Sequence, residues 1–231
     1  SMDLRTAYEP NDKRRAGSMM EHGWNMADWK PQKLPQADGS FSPDDAAYND
    51  FMKDGFRYDT IQDVKQGGTL NGTRSTIAKY VVGPGQKYGG EQVIGMNTGI
   101  NFMMQRYADI LLIYAEATLG EAASTTDATA LEAFNKVRLR AGLPVKEVLT
   151  LNDIMKERRV EFAFEGDYWF DITRQGFEKA KQIIEAQNRG TISGIVRVTG
   201  FTEDKMFLPI PASEVLQDPL LNEDPQPYYT K

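Results

Sequence analysis

The sequence predicts a mostly α-helical protein in which helix pairs are joined by long irregular loops and a small β-hairpin lies near the C-terminus. Between Phe102 and Gly190, apolar residues recur at helical spacing in segments that end at glycines. Before Phe102, turn-forming Gly, Pro, Asn and Asp are frequent and no helical pattern persists. We therefore expect a loop-rich segment over residues 1–101 that packs on the helical part, and a helical region with a terminal β element over residues 102–231.

The loop-rich segment contains few signals of regular structure. Ser42 followed by Pro43 is typical of a helix N-terminus and predicts a short helix that ends near Met52. Short strands are predicted at residues 79–82 and 92–94. Glycines at positions 83, 85 and 90 suggest a phosphate-binding loop, but no Gly-Lys-Ser/Thr follows them, which favours a surface loop.

The first long helix is predicted over residues 104–119. Because this segment is apolar on most faces, we expect the helix to be central. A second helix is predicted to start near Ser124, with Asp127 at capping-box spacing, and to end at Gly142 and Pro144. Its apolar stripe follows helical spacing and consists of Ala130, Ala133, Phe134, Val137 and Ala141.

Further helices are predicted after Pro144, with the Asp167–Gln175 segment between the third helix and the fifth. Thr150 and Asp153 have the spacing of a capping box and predict the start of a third helix, which Gly166 ends. The predicted apolar stripe of this helix consists of Leu151, Ile154, Met155 and Phe162. Gly176 precedes another helix that ends near Gly190.

The remaining elements complete the predicted fold. Residues 192–199 and 206–210 are β-branched or extended, and they predict a hairpin that turns at residues 202–204. Antiparallel helix pairs in tandem are the arrangement of tetratricopeptide-like repeats, and the Ala130-x-x-x-Phe134 spacing matches part of that repeat. The predicted fold is therefore tetratricopeptide-like, with a small β element.

Composition excludes several classes of function. The 231-residue chain carries 27 Lys and Arg against 33 Asp and Glu, a formal net charge of −6, which argues against nucleic acid as a partner. Lys13-Arg14-Arg15 and Arg158-Arg159 are interpreted as loop and helix-face charges. The chain has no cysteine and one histidine, His22, which excludes thiol nucleophiles, disulfides and Cys/His zinc sites. We expect no metal and no cofactor, and an oxygen-only calcium site among the aspartates stays open.

The sequence also gives expectations about targeting. No run of about 18 apolar residues exists, so no transmembrane helix is predicted. Residues 1–5 lack the charged and apolar regions of a signal peptide. Ser1 before Met2 resembles a cloning remnant, and we expect the chain to begin within a longer protein.

Three glutamates, Glu157, Glu161 and Glu165, recur every four residues and therefore line one helix face. One hypothesis makes two of them the acid and base of a glycosidase. The other makes them structural ion pairs that hold neighbouring helices in register. The partners assigned to that role are Arg158, Arg159 and Arg174, with Asp171 as a further carboxylate. We favour ion pairs, because nearby arginines keep carboxylates ionised and unsuited to a general acid. No catalytic residue is assigned.

Two tryptophans, Trp24 and Trp29, stand in a segment without a helical stripe. If exposed, their rings offer flat apolar platforms on which sugar rings stack. If buried, they form a small satellite core under a loop, which is the interpretation that the bulk of an indole favours. Both interpretations stay open, and these two residues are the candidate ligand-binding residues.

Four segments, in this order, resemble the C-terminal part of the SusD/RagB family. They are residues 106–117, Asn135-Lys136-Val137-Arg138, residues 157–166 and Leu208-Pro209-Ile210-Pro211. The resemblance is strongest over residues 105–214. It implies an outer-membrane, cell-surface lipoprotein that binds a nutrient such as an oligosaccharide, and it assigns residues 157–166 to the helical scaffold. It carries no ligand-binding residue over to this chain.

The resemblance also implies partners. These are a SusC-like TonB-dependent transporter, an oligosaccharide or other nutrient ligand, and a membrane reached through a lipid anchor on an absent N-terminal part. We therefore expect a non-catalytic nutrient-binding component of an outer-membrane import system. The alternative is a helical-repeat adaptor that binds other proteins.

Overall fold

The structure, a computed structural model, describes residues 2–21, 24–26, 56–57, 75–81, 87–88, 91–92, 100–188 and 198–223. The mostly helical fold predicted from the sequence is confirmed. The chain divides into two compact units, Ser1–Asp171 with Asn188–Val196 and Ile172–Gln187 with Arg197–Lys231. Residues on both sides of position 101 thus belong to the first unit. None of the described helices is long and apolar enough to cross a membrane.

The described residues of the amino-terminal part of the first unit form two short helices and three antiparallel strand pairs. Helix α1 is Met2–Ala7 and helix α2 is Arg14–Ser18. The pairs are β1 (Met19–Glu21) with β4 (Ser75–Ile77), β2 (Asn25–Met26) with β3 (Phe56–Arg57), and β5 (Lys87–Tyr88) with β6 (Glu91–Gln92). Each pair is only two or three residues long, so these strands connect loops and do not form a layer of the fold.

The strand predicted over residues 79–82 is wrong at its described positions. Strand β4 ends at Ile77, and Lys79 and Tyr80 form a turn. The physical reason is that β1 offers partners only to Ser75–Ile77, while Lys79 turns away to bind main-chain carbonyls. The strand predicted at residues 92–94 is described only at Gln92. The helix predicted from Ser42 to Met52 and the glycines at 83, 85 and 90 lie outside the described residues.

The core of the first unit is built on a helix pair, α3 (Tyr107–Leu119) and α4 (Ala128–Ala141), with α5 (Leu151–Glu161) packed against α3. The buried core side chains come from all three helices and the loops beside them: Ala108, Leu112, Ala115, Leu119, Phe134, Val137, Leu149, Ile154 and Phe162. The hydrophobic effect on this cluster is the main term that holds the helices together.

Helix α3 is covered on one face only. Leu112 and Ala115 are fully buried, but Ile110, Ile113 and Tyr114 are each nearly half exposed. The helix is central as predicted, because α4 and α5 both pack on it, but its outer face is left open by the described residues. Apolar composition alone does not distinguish a face packed on this chain from one left open.

Helix α4 buries the whole stripe predicted for it. Its N-cap is Asp127 and not Ser124, because Asp127 accepts the N–H groups of Thr129 and Ala130, both at 2.9 Å. The helix ends at Gly142, whose φ of 80° lies in the left-handed region that glycine adopts without strain. A side chain there would also meet the aliphatic part of Lys13.

Helix α5 begins with the capping box predicted from the sequence. The Thr150 hydroxyl accepts the Asp153 N–H at 3.2 Å, and the Asp153 carboxylate accepts the Thr150 N–H at 3.1 Å. In the predicted stripe, Ile154 and Phe162 are buried, but Leu151 is 42% exposed. Leu151 is the first helical residue, and it lies beyond the turn that packs on the core.

The connection between α4 and α5 is held by polar contacts. The Asn135 side chain donates to the Lys146 carbonyl at 2.9 Å and accepts the Lys146 N–H at 2.8 Å. Thr125 and Leu149 form a β-bridge through two backbone hydrogen bonds. These contacts fix a connection that is long for a repeat of paired helices, and they explain why an asparagine stands at position 135.

After α5, Gly166 with φ of 101° permits the turn into α6 (Tyr168–Thr173). The second unit contains α7 (Phe177–Glu185), a 3-10 turn at Glu203–Met206, α8 (Ala212–Gln217) and a 3-10 turn at Pro219–Asn222. Helix α7 ends five residues before the predicted Gly190. Within this unit the rings of Phe177 and Phe201 stack, with centroids 6.3 Å apart.

The predicted hairpin near the C-terminus is wrong in its second half. Met206 ends a 3-10 turn, and residues 207–210 are extended without a strand partner among the described residues. Pro209 and Pro211 lack the N–H group that a strand needs on its paired edge, so the Leu-Pro-Ile-Pro segment suits an unpaired extended chain. Most of the first half, residues 192–197, lies outside the described residues.

Candidate functional site

The candidate site is the acidic face of helix α5 and the turn that follows it. Glu157, Glu161 and Glu165 are 3%, 4% and 6% exposed, so all three carboxylates are buried. Burying a carboxylate is costly unless cations and hydrogen bonds compensate it. Within the part of the first unit that the structure describes, five cations reach this face from other elements: Arg14, Lys79, Arg106, Arg138 and Arg140.

Glu157 joins α5 to the amino-terminal segment and to α4. Its Oε1 accepts from Arg14 at 2.6 Å and its Oε2 from Arg138 at 3.0 Å. Arg14 also binds both oxygens of Asp12, at 2.9 and 2.7 Å, and Arg138 binds Glu9 at 2.7 Å. The interpretation of Arg14 as a loop charge is therefore wrong, because its guanidinium lies inside this ion-pair network.

Glu161 is bound by three arginines. It accepts from Arg106 at 2.9 Å and from Arg14 at 3.2 Å, and it pairs with Arg140. Burial by itself would raise the pKa of Glu161, but the hydrogen bonds from Arg140 and Arg106 outweigh burial and lower that pKa from 4.5 to about 2. This carboxyl group is therefore an anion across the physiological pH range.

Glu165 completes the face from the turn after α5. Arg106 donates to both of its oxygens, at 2.7 and 2.8 Å, in the bidentate geometry that guanidinium favours. Lys79 pairs with Glu165 and also donates to the carbonyls of Glu161 and Ala163, at 3.0 and 3.2 Å. Lys79 and Arg106 thus satisfy carbonyls at the C-terminal end of α5, where no intrahelical donor remains.

Arg158 follows Glu157 on α5 and joins α3, α5 and α6. It donates to Asp109 at 2.6 Å and to both oxygens of Asp171, at 2.8 and 2.9 Å. Its guanidinium, like that of Arg106, lies 5.0 Å from the centroid of the Phe162 ring. Arg159 behaves differently: its guanidinium lies over the Tyr168 ring at 4.8 Å and forms no ion pair with a described carboxylate.

The structure brings some of these residues together and separates others. Arg158 and Asp171 pair with each other, whereas the glutamates bind arginines from α2, α4 and the segment before α3. The structure records no ion pair between these glutamates and Arg158 or Arg159. A sequence pattern shows which residues share a helix face, but it does not show which distant cation reaches them.

The electrostatics bear on acid–base chemistry at this face. A glycosidase needs a carboxylic acid whose pKa is raised toward the working pH, beside an ionised carboxylate. The pKa of Glu161 is lowered instead. A raised pKa belongs to Asp167, through burial and the nearby Asp109 carboxylate, and Asp167 lies outside the acidic face of α5. Among the described residues, no group of three acidic or histidine side chains is placed to hold a metal ion.

Trp24, one of the two candidate ligand-binding residues, is half-buried beside α2. Its indole N–H donates to the Ala16 carbonyl at 2.8 Å, and its backbone N–H donates to Glu21 at 2.8 Å. These bonds fix the orientation of the ring while part of it stays accessible. Trp29 and His22 lie outside the described residues.

The chain is similar to known proteins over nearly all of its length. A family model described as the SusD family matches residues 1–229. A SusD-like protein of Bacteroides ovatus is 36% identical over 200 residues, covering 71% of this chain and 37% of that protein. SusD-like protein P38 of Formosa agariphila is 30% identical over 137 residues, covering 54% of this chain and 24% of that protein.

Solved structures are similar as well. A crystal structure with xylogluco-oligosaccharide has a TM-score of 0.70 and 28% identity, and the match covers 99% of this chain and 46% of that one. Surface glycan-binding protein A from Bacteroides uniformis has a TM-score of 0.53 and 22% identity, and the match covers 95% of this chain and 39% of that one. The second likeness shows the fold alone. The chain spans less than half the length of each of these proteins.

The adjacent Arg158 and Arg159 give a matched test of the ion pairs. Arg158→Ala leaves Asp109 and Asp171 without their buried cation, and we expect it to lower the free energy of unfolding by about 3–5 kcal/mol. Arg159→Ala removes a cation–π contact and should cost only about 1 kcal/mol. Urea unfolding of both variants measures the difference. Equal losses of unfolding free energy in the two variants would contradict the assignment of Arg158 as the buried cation that joins α3, α5 and α6.

The pKa of Glu161 predicts how stability depends on pH. Because the folded-state pKa, about 2, lies below the usual 4.5, the ionised form stabilises the fold fully above pH 4.5. That stabilisation, about 3 kcal/mol, is lost as the pH falls from 4.5 through 2. Urea unfolding of the wild type at pH 5.5 and pH 3 should show part of this loss. The Glu161→Gln variant should be less stable at pH 5.5 and lose less on acidification; an equal loss in both proteins would refute the prediction.

Proposed function

The chain belongs to the SusD family, and on that premise we propose that it is part of a surface protein that binds a nutrient glycan. The observation that carries the proposal is the 28% identical crystal structure with xylogluco-oligosaccharide, which matches 99% of this chain. The ligand class that we propose is an oligosaccharide. Because the chain spans 37% of the Bacteroides ovatus relative, the ligand, partners and location of the whole protein are all part of this proposal.

We propose a binding role without catalysis. Among the carboxylates that a glycosidase would use, Glu161 is held as an anion by arginines, which lower its pKa to about 2. A general acid must instead carry a proton near neutral pH. The geometry therefore supports a scaffold role for the acidic face of α5, and turnover of a glycan that depends on Glu161 would contradict it.

The proposed ligand contacts are aromatic. Trp24 is held by a hydrogen bond from its indole N–H to Ala16, so its ring is ordered before a ligand arrives. A rigid ring contributes contact area at a small cost in conformational entropy. Trp29 belongs to the same segment and is proposed with it from the sequence alone.

The proposed location and partner follow from family membership. We propose that the whole protein is an outer-membrane, cell-surface lipoprotein that acts beside a SusC-like TonB-dependent transporter. The surface that meets a transporter must tolerate water when the two separate, which favours polar loops over apolar helix faces. The loop-rich residues 1–101 have that composition.

A second candidate function is a helical-repeat adaptor for proteins. It is favoured by the open apolar face of α3, where Ile110, Ile113 and Tyr114 are each nearly half exposed. The coding sequence upstream of this chain separates the two functions: a signal peptide with a lipidated cysteine supports the glycan-binding lipoprotein, and a cytosolic start supports the adaptor.

Substitution of the tryptophans tests the glycan site. Because stacking on an ordered ring is lost, we expect Trp24→Ala and Trp29→Ala each to weaken oligosaccharide binding about three- to tenfold. Isothermal titration calorimetry with xylogluco-oligosaccharide and other neutral oligosaccharides measures the change. Trp169→Ala, on helix α6, is the control for loss of an indole elsewhere. Unchanged affinity in both of the first two variants would show that these rings only pack.

A further inference from the structure

A polar cavity of about 500 Å³ lies in the first unit between helices α1, α4 and α5. Its volume falls within the range of about 300–1,000 Å³ that small-molecule sites occupy. Charged side chains of both signs line it. Most of them already have partners: Glu9 binds Arg138 on one side at 2.7 Å, and Lys146 binds Asp153 on another at 2.9 Å.

Two lining cations are left without such partners. Lys156 and Arg159 stand three residues apart on α5, so they project from the same side of the helix. Lys156 is exposed and has no hydrogen bond or ion pair to any described residue. Arg159 is half-buried and lies over the face of the Tyr168 ring, and the N–H donors at its edge have no partner among the described residues.

The third open group is the carboxylate of Asp3 on α1. Its Oδ2 accepts the Asn188 N–H at 2.7 Å, and its Oδ1 has no partner among the described residues. Asp3 and Arg159 both influence the electrostatics of Tyr168, but they form no ion pair with each other. Hydrogen-bond donors without a partner among the described residues therefore lie on the α5 side of the cavity, and such an acceptor lies on the α1 side.

We propose that this cavity is a saccharide-binding subsite for neutral sugar units. This inference rests on the proposed function and adds a second contact region to the tryptophans. A hydroxyl group donates and accepts at once, so it bridges Lys156 or Arg159 to Asp3 without leaving either side unsatisfied. A sugar carries several such hydroxyls in fixed directions.

The balance of charge selects a neutral ligand over an acidic one. An anionic sugar would gain from Lys156 and Arg159 but would also meet the carboxylates of Asp3, Glu9 and Asp153. The one aromatic lining residue, Phe134, is fully buried, so binding rests on hydrogen bonds and not on stacking. Because each net hydrogen bond is modest, the subsite adds affinity to a longer glycan and does not bind a single sugar tightly.

Lys156→Ala is the sharpest test, because the side chain is exposed and has no hydrogen bond or ion pair to a described residue, so we expect the variant to keep its fold. We expect it to weaken binding of cellotetraose or xylogluco-oligosaccharide about three- to tenfold. Asp3→Ala should weaken binding similarly by removing the acceptor. The matched control is Lys136→Ala on α4, an exposed cation that pairs with Glu132 outside the cavity; its affinity should equal that of the wild type.

The measurements are calorimetric titration and amide chemical-shift mapping of the intact 231-residue chain. Shifts at Asp3, Lys156 and Arg159 on addition of cellotetraose support the subsite. If the wild type binds a neutral glycan and Lys156→Ala binds it equally well, the subsite is refuted while the proposed function stands. If tetragalacturonate binds at these residues and neutral glycans do not, the neutral class is wrong. If no glycan binds, both proposals fail.

Discussion

Compensation of three buried carboxylates on helix α5 and the turn after it is the constraint on which the first unit depends. Glu157, Glu161 and Glu165 are each less than 10% exposed. An uncompensated charge in that position would destabilise the packing of the helix on its neighbours. Arginines and a lysine from α2, the turn after β4, the segment before α3 and helix α4 supply the compensation. Segments with little apolar surface of their own are thereby fixed by charge, whereas α3, α4 and α5 are also held by an apolar core.

Local signals in the sequence predicted local structure well. The Thr150–Asp153 capping box, the buried stripe of α4 and the glycine at position 142 all act within a few residues, and the structure contains each of them.

The partners of the acidic face could not be predicted, because Arg14 and Glu157 lie 143 positions apart. The pattern around residues 157–166 showed a helix face crowded with charge. It did not show that a short basic run near the N-terminus compensates it. The strand predicted at the Leu-Pro-Ile-Pro segment is wrong, because its prolines lack the N–H groups that a paired strand needs.

The ion-pair network also distinguishes the residues of the structural scaffold from those of the proposed ligand site. The arginines keep Glu161 ionised, which makes it unsuited to act as a general acid. The same ion pairs attach the neighbouring loops to α5. Trp24 is oriented by its bond to Ala16, in the helix that also carries Arg14. The open cavity beside Lys156 borders the same α5 helix, and Glu157 with its partners Arg14 and Arg138 also lines it. A single helix thus carries structural ion pairs next to proposed ligand contacts, which suits a protein that holds a glycan without altering it.

A double-mutant cycle between Arg14 and Glu157 tests the central claim most directly. The two side chains are 11% and 3% exposed and 2.6 Å apart, and they join the amino-terminal segment to α5. The free energies of unfolding of Arg14→Gln, Glu157→Gln and the double variant give the coupling energy. If charge compensation fixes the segment, the double variant loses less free energy of unfolding than the two single variants lose together, by about 1–3 kcal/mol. Additive losses would contradict the account, because they would show that the segment is held in place independently of its ion pair with the helix.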